Sequence, residues 1–90
     1  MIYRIAIDGL LTEFKDSDAV LLNLTRKRYH FLNDTGAFIW SVLEKGPTSE
    51  EDLVAALRQK YDLSDSQARA TTRRFNEELM ALELIRTGEV

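Results

Sequence analysis

Residues 19–36 read Ala19-Val20-Leu21-Leu22-Asn23-Leu24-Thr25-Arg26-Lys27-Arg28-Tyr29-His30-Phe31-Leu32-Asn33-Asp34-Thr35-Gly36. Two runs of aliphatic, β-branched and aromatic residues flank the polar triplet Thr25-Arg26-Lys27, the pattern of a hairpin. A three-residue loop sets Leu24 opposite Arg28, Leu22 opposite His30 and Val20 opposite Leu32. Opposite residues share a face. This register therefore predicts one face of Val20, Leu22, Leu24, His30 and Leu32 and another of Leu21, Asn23, Tyr29 and Phe31. Asn33 or Asp34 then caps a helix.

Upstream, Leu10–Phe14 is a candidate strand and Asp16-Ser17-Asp18 a turn. Ile2–Ile7 can be extended. Downstream, the helix runs to about Glu44 with Ile39, Trp40 and Leu43 as its apolar stripe, and Gly46-Pro47 ends it. Thr48-x-x-Glu51 reads as a capping box for a second helix carrying Leu53, Val54, Leu57 and Tyr61. Ser64-x-x-Gln67 reads as another, opening a long helix over about Asp65–Glu83 with Ala68, Thr72, Phe75, Leu79 and Leu82 on one stripe. Leu84-Ile85 packs back as a short tail. Strands joined by short hairpins need no crossover. The fold class expected is α+β, a three-stranded antiparallel sheet followed by three helices in a single domain over residues 1–90, with residues 1–9 as an extra strand or an arm.

Composition narrows the function. With 44% hydrophobic and 30% charged residues the chain is an ordinary globular one. It has no Cys and one His, His30, which removes thiol nucleophiles, disulfides and multi-histidine metal sites. No metal and no cofactor are expected. The net charge of −3 argues against a duplex-DNA binder. No apolar run approaches about 18 residues, so no membrane partner is expected. The start lacks a basic region followed by an apolar core, which makes the cytoplasm the default location. Glu50, Glu51 and Asp52 suit a helix start, and Glu77-Glu78 suit a solvated face. No pair of acids, nucleophile or glycine-rich phosphate loop stands out, so the chain reads as a binding module and not an enzyme.

Two features could bind. If Arg28–Leu32 pairs on one side only, its other side shows bare N–H and C=O groups, with Arg28 the single charge in the strand and no proline. Such an edge accepts an extended peptide by strand addition, unless a helix or the N-terminal segment covers it. The pattern leaves both open. On the third helix, Arg69, Arg73 and Asn76 run beside the Thr72/Phe75/Leu79 stripe, either as a solvated face or as a groove wall for an acidic or polar peptide. His30, lone among aliphatics, reads first as a core or half-buried residue.

The run Leu21-Leu22-Asn23-Leu24, then Arg28-Tyr29-His30-Phe31-Leu32-Asn33-Asp34-Thr35-Gly36-Ala37-x-Ile39-Trp40, resembles the PqqD-like family. So do Glu51-x-Leu53-Val54-x-x-Leu57, Tyr61-Asp62, and the later Phe75, Glu77-Glu78-Leu79 and Leu84-Ile85. These are the recognition elements that bind leader peptides of ribosomally synthesised, modified peptides, and the likeness covers about residues 10–86. It implies a winged helix-turn-helix-like fold and a leader held as a further strand beside Arg28, Tyr29, His30, Phe31 and Leu32. The leader would lie against the side of the third helix bearing Arg69, Thr72, Arg73, Phe75, Asn76 and Leu79. Among family members, a free-standing chain of this size is most similar to the leader-binding partner of lasso-peptide clusters. That implies leaders with a Tyr-x-x-Pro motif, a separate leader peptidase of the cysteine-protease type and a cyclase.

The chain departs from the family where Lys27 replaces a common hairpin Gly, His30 an aromatic, and Arg73 or Asn76 an aliphatic. Two other readings stand beside this one. One is a PqqD-type peptide chaperone for a radical SAM enzyme. The other is a winged-helix DNA-binding protein, with Arg69, Arg73 and Arg74 toward phosphates or bases and Thr25-Arg26-Lys27 as a very short wing.

Overall fold

A computed structural model of the chain describes residues 2–13 and 18–88. The elements in order are β1 (Ile2–Ile5), β2 (Gly9–Glu13), β3 (Ala19–Asn23), β4 (Arg28–Leu32), α1 (Asp34–Glu44), β5 (Thr48–Ser49), α2 (Glu50–Lys60), α3 (Asp65–Ala81) and β6 (Ile85–Gly88). The expected antiparallel sheet is present in the order β2-β3-β4, with three helices after it. Its first strand begins one residue earlier than expected. Phe14 of that strand, and Asp16 and Ser17 of the expected turn, lie outside the described residues.

The hairpin register is one residue from the expected one. Leu21 pairs with His30, Val20 with Phe31, Leu22 with Tyr29 and Ala19 with Leu32. The cause lies in the loop, which holds Leu24 as well as Thr25, Arg26 and Lys27. Buried Asn23 ends β3: its Oδ1 accepts the N–H groups of Thr25 (3.1 Å) and Arg26 (3.2 Å), an Asx turn. Leu24 N–H instead donates to Asp8 C=O at 2.9 Å, on the β2 side. Lys27, at φ 56°, takes the left-handed conformation that returns the chain into β4. A one-residue slip exchanges faces. Ala19, Leu21 and Leu32 therefore face the core with Asn23 and half-buried His30, while Tyr29 and Phe31 share the outer face with Val20 and Leu22.

The arm is a strand. β1 pairs antiparallel with β6, Ile5 opposite Ile85 and Ile2 opposite Gly88, and with β5, Tyr3 opposite Thr48. This second sheet, order β5-β1-β6, was not expected. It also changes the start of α2. Thr48 is in a strand, its hydroxyl donating to Gly46 C=O (2.8 Å), and Ser49 is the cap, accepting Asp52 N–H at 3.1 Å. The expected Thr48–Glu51 capping box is therefore absent. The Ser64–Gln67 box is present, with both of its bonds formed.

The core gathers the apolar stripe of each element: Leu21, Ile39, Trp40, Leu43, Leu53, Leu57, Leu79 and Leu84 are each at most 2% exposed. Burying each such side chain contributes about 1.5–3 kcal/mol against chain entropy. At the start of α1, Asn33 caps by accepting Gly36 N–H (2.8 Å). A Cβ on Gly36 would lie 2.6 Å from Phe75 Cε1. Glycine here lets α3 bring the Phe75 ring against the first turn of α1, which fixes the distance between α3 and β4.

Candidate functional site

β4 is the edge of its sheet, with β3 on one side and no strand on the other among the described residues. Which of its backbone groups are free follows from ladder alternation. The Leu24 N–H to Asp8 C=O bond continues the β2–β3 register, in which Gly9 opposes Asn23. Residues 20, 22 and 24 thus turn their backbone groups to β2, and residues 19, 21 and 23 turn theirs to β4. Across the hairpin, residues 28, 30 and 32 complete those bonds. The N–H and C=O of Tyr29 and Phe31 are left pointing away from the sheet.

Beneath this edge lies a groove of about 410 Å³, lined on one side by Tyr29, His30, Phe31, Leu32 and Asn33 and on the other by Phe75, Glu78, Leu79 and Leu82. A second cleft continues it past the cap of α1, between Asn33, Thr35 and Gly36 and the α3 residues Thr71, Arg74, Phe75 and Glu78. Asn33, Phe75 and Glu78 belong to both. The floor is apolar, Phe75 half-buried and Leu79 2% exposed, and the rim carries Arg74, Glu78 and Leu82, the last 47% exposed. An extended chain lying here would have backbone partners on one side and an apolar slot under alternate side chains.

The groove joins Tyr29, His30, Phe31, Leu32, Phe75 and Leu79 of the residues singled out by sequence, with exposed Arg28 at its open end. It does not include the expected polar stripe. Arg73 Nε donates to Glu50 Oε1 (2.8 Å) and its Nη2 to Oε2 (3.2 Å), while Arg69 Nη2 donates to Glu51 (3.1 Å) and Asp65 (3.4 Å). Both guanidiniums thus bind the start of α2, away from β4. These bonds hold the Glu50 and Glu51 carboxyls below the usual carboxylate range, Arg73 acting mainly on the first and Arg69 on the second. Thr72 and Asn76 are fully buried, and among the described residues neither the Thr72 hydroxyl nor either Asn76 amide atom makes a hydrogen bond of ordinary geometry, although the Asn76 amide lies within reach of the Tyr3 hydroxyl. The physical reason is helical geometry: Thr72 and Asn76 fall on the core side of Phe75. The groove side is Thr71, Arg74, Glu78 and Leu82, which sequence reasoning missed. Spacing of three, four and seven residues about Phe75 was the signal available for Thr71, Glu78 and Leu82, and Arg74 lies three and four residues from the first two.

Among curated protein sequences none matches this one. A solved structure, TbiB1 in complex with the TbiA(beta) leader peptide, superposes with a TM-score of 0.79 at 28% identity, covering 97% of this chain and 99% of that one. The family model of coenzyme PQQ synthesis protein D matches residues 18–85. That stretch holds β3, the β4 edge, all three helices and both walls of the groove, and the chain belongs to the PqqD family.

Proposed function

We propose that this chain binds the leader segment of a ribosomally synthesised precursor peptide as a strand added to β4. It would then deliver that precursor to a separate leader peptidase, of the cysteine-protease type, in lasso-peptide biosynthesis, with a cyclase acting afterwards. The chain itself acts as a non-catalytic binding module. The observation that carries this reading is the bare β4 edge, with the backbone groups of Tyr29 and Phe31 turned outward over a groove floored by Phe75 and Leu79. The full-length likeness to a structure solved with a leader peptide supports the ligand class. A PqqD-type peptide chaperone for a radical SAM enzyme is the second reading, favoured by the family match over residues 18–85; it would use the same edge with a different enzyme partner. Arg69 and Arg73 are each paired with acids, as is Arg26 in the loop with Glu83, so among the described residues only Arg74 of the three α3 arginines a DNA-binding reading needs is left without an ion pair.

Amide exchange of the labelled chain, with and without a synthetic peptide carrying a Tyr-x-x-Pro segment, tests the proposal. Residues 28, 30 and 32 are expected to be protected already, and Tyr29 and Phe31 to gain protection on binding. Protection that appears elsewhere, or none, refutes strand addition at β4. Affinity is expected to fall only modestly with added salt, whereas phosphate contacts would make it fall steeply.

A further inference from the structure

We propose that the outer face of the β2-β3-β4 sheet reads two further residues of the bound strand, giving the site a second specificity on the side opposite the groove. This rests on strand addition at β4. A strand that bonds the outward N–H and C=O groups of Tyr29 and Phe31 places two of its own residues, spaced i and i+2, directly opposite them. Opposite residues share a face. Those two side chains therefore emerge on the outer face, while the residue between them, opposite His30, points into the groove, as do the residues beyond them opposite Arg28 and Leu32.

The outer face is built to meet apolar side chains. Tyr29 and Phe31 are 62% and 76% exposed, their rings edge-to-face at 5.7 Å. Two cross-strand rows run back from them: Tyr29 opposes Leu22, which opposes Leu10, and Phe31 opposes Val20, which opposes Thr12. Leu10 is itself 54% exposed. None of these six residues carries a charge, and no described element covers them. Isolated exposed apolar residues need no explanation, but two adjacent rings at a bare edge, without the usual blunting charge, do. An added strand with β-branched or aromatic residues at both positions extends each row by one and removes the rings from water. An Asp or Glu there would lose hydration against the negative faces of the rings and find no partner on this face. The ligand class inferred is a peptide whose leader carries an apolar residue, any groove-compatible residue, then a second apolar residue.

The test is selection of a displayed library of random 12-residue peptides on the wild-type chain and on the Tyr29→Thr/Phe31→Thr variant, with Trp40 fluorescence confirming that both are folded. Phe31→Thr alone serves if the double variant unfolds. The wild-type pool is expected to be enriched in apolar residues two apart. The variant pool should lose that spacing but keep its preference at the intervening residue, and each outward position should contribute about three- to tenfold in Kd. Identical pools overturn this inference and leave strand addition standing. No enriched peptide on the wild type overturns strand addition and this inference together. If the wild type self-associates, the variant does not and the pools are unchanged, the face belongs to a second copy of the chain, which also overturns it.

Discussion

A proline scan along β4 separates the residues that build the sheet from those that meet a ligand. The ladder puts the N–H of His30 into the bond with Leu21 and turns the N–H of Phe31 outward. Proline has no N–H, so Phe31→Pro deletes nothing from the native ladder, and proline is accepted on edge strands in that position. The Phe31 ring is 76% exposed, so little packing is lost either. The expected cost in stability is below about 1 kcal/mol. His30→Pro removes the hydrogen bond to Leu21 and leaves its carbonyl unpaired against the core, which costs about 1–3 kcal/mol. It also drives the pyrrolidine ring against β3. A domain of this length holds about 5–13 kcal/mol in all, so the second variant is expected to lose a large part of its stability and the first very little. Urea unfolding followed by the single, buried Trp40 measures both. Binding should invert the order of severity relative to stability. Against Phe31→Ala as the reference for ring loss, Phe31→Pro removes a main-chain bond worth about 0.5–1.5 kcal/mol, or roughly 2- to 12-fold in Kd, and blocks close approach besides. Equal destabilisation by the two prolines, or a Phe31→Pro variant that unfolds while His30→Pro does not, would refute the alternation and with it the assignment of the free edge.

Other outcomes follow from individual residues. Lys27→Gly is expected to stabilise by about 0.5–1 kcal/mol, because glycine takes the left-handed conformation without the Cβ penalty; melting should rise by about 2–8 °C, and an unchanged midpoint would count against a strained loop. Gly36→Ala is expected to swing the Phe75 ring out of its seat, lowering peptide affinity by about tenfold at a net stability cost of up to about 2 kcal/mol, with Phe75→Leu restoring stability in the double variant. Asn76→Val removes a buried amide that makes no hydrogen bond of ordinary geometry and should raise stability by about 1 kcal/mol in urea titration; a loss of that size would mean the amide is satisfied in solution. Glu50 has its pKa lowered in the folded chain, chiefly by the hydrogen bond from Arg73, so its stabilising contribution is complete above the ordinary carboxylate value of about 4.3 and is lost as pH falls through the lower folded value. Glu50→Gln should therefore destabilise at pH 7, and its difference from wild type should shrink in strong acid; a difference constant with pH would dissociate the ion pair from stability.

Much of the architecture was legible because local rules and tertiary packing agree in it. The Asn33 cap and the Ser64–Gln67 box start helices at the points where the buried stripes, Ile39/Trp40/Leu43 in α1 and Ala68 onward in α3, need them to begin. Legibility failed where one local signal competed with another. Thr25-Arg26-Lys27 is a plausible loop by composition, but the Asn23 side chain takes the first two of its N–H groups and draws Leu24 out of the strand. Thr48 and Ser49 are both capping residues; pairing with β1 claims the first and leaves the second to cap. The second sheet joins the two ends of the chain, and no pattern within Ile2–Ile7 or Leu84–Ile85 states that they meet. For the site, the edge was readable because β4 holds a single charge, Arg28 at its start, and no proline. The α3 wall was not, because Thr72, Asn76 and Arg73 sit on the same helix as Phe75, and only packing against α2 and β6 decides which of its sides is turned away.

The slip of one residue matters more to binding than to folding. Either register buries an aliphatic row and exposes a mixed one, and the chain would still make a hairpin. Only the observed one couples three properties at Tyr29 and Phe31: free main-chain groups, outward rings and neighbours Leu22 and Val20 behind them. In the same register His30 and Leu32 spend their main-chain groups on β3 and their side chains on the groove. Under the proposed strand addition, sheet integrity and ligand capture fall on alternate residues of one strand. Substitutions at Tyr29 and Phe31 can change which peptide is accepted without loosening the hairpin, whereas a change of main chain at His30 cannot. That division lets a chain of 90 residues, with little stability in reserve, keep an edge bare enough to accept another strand.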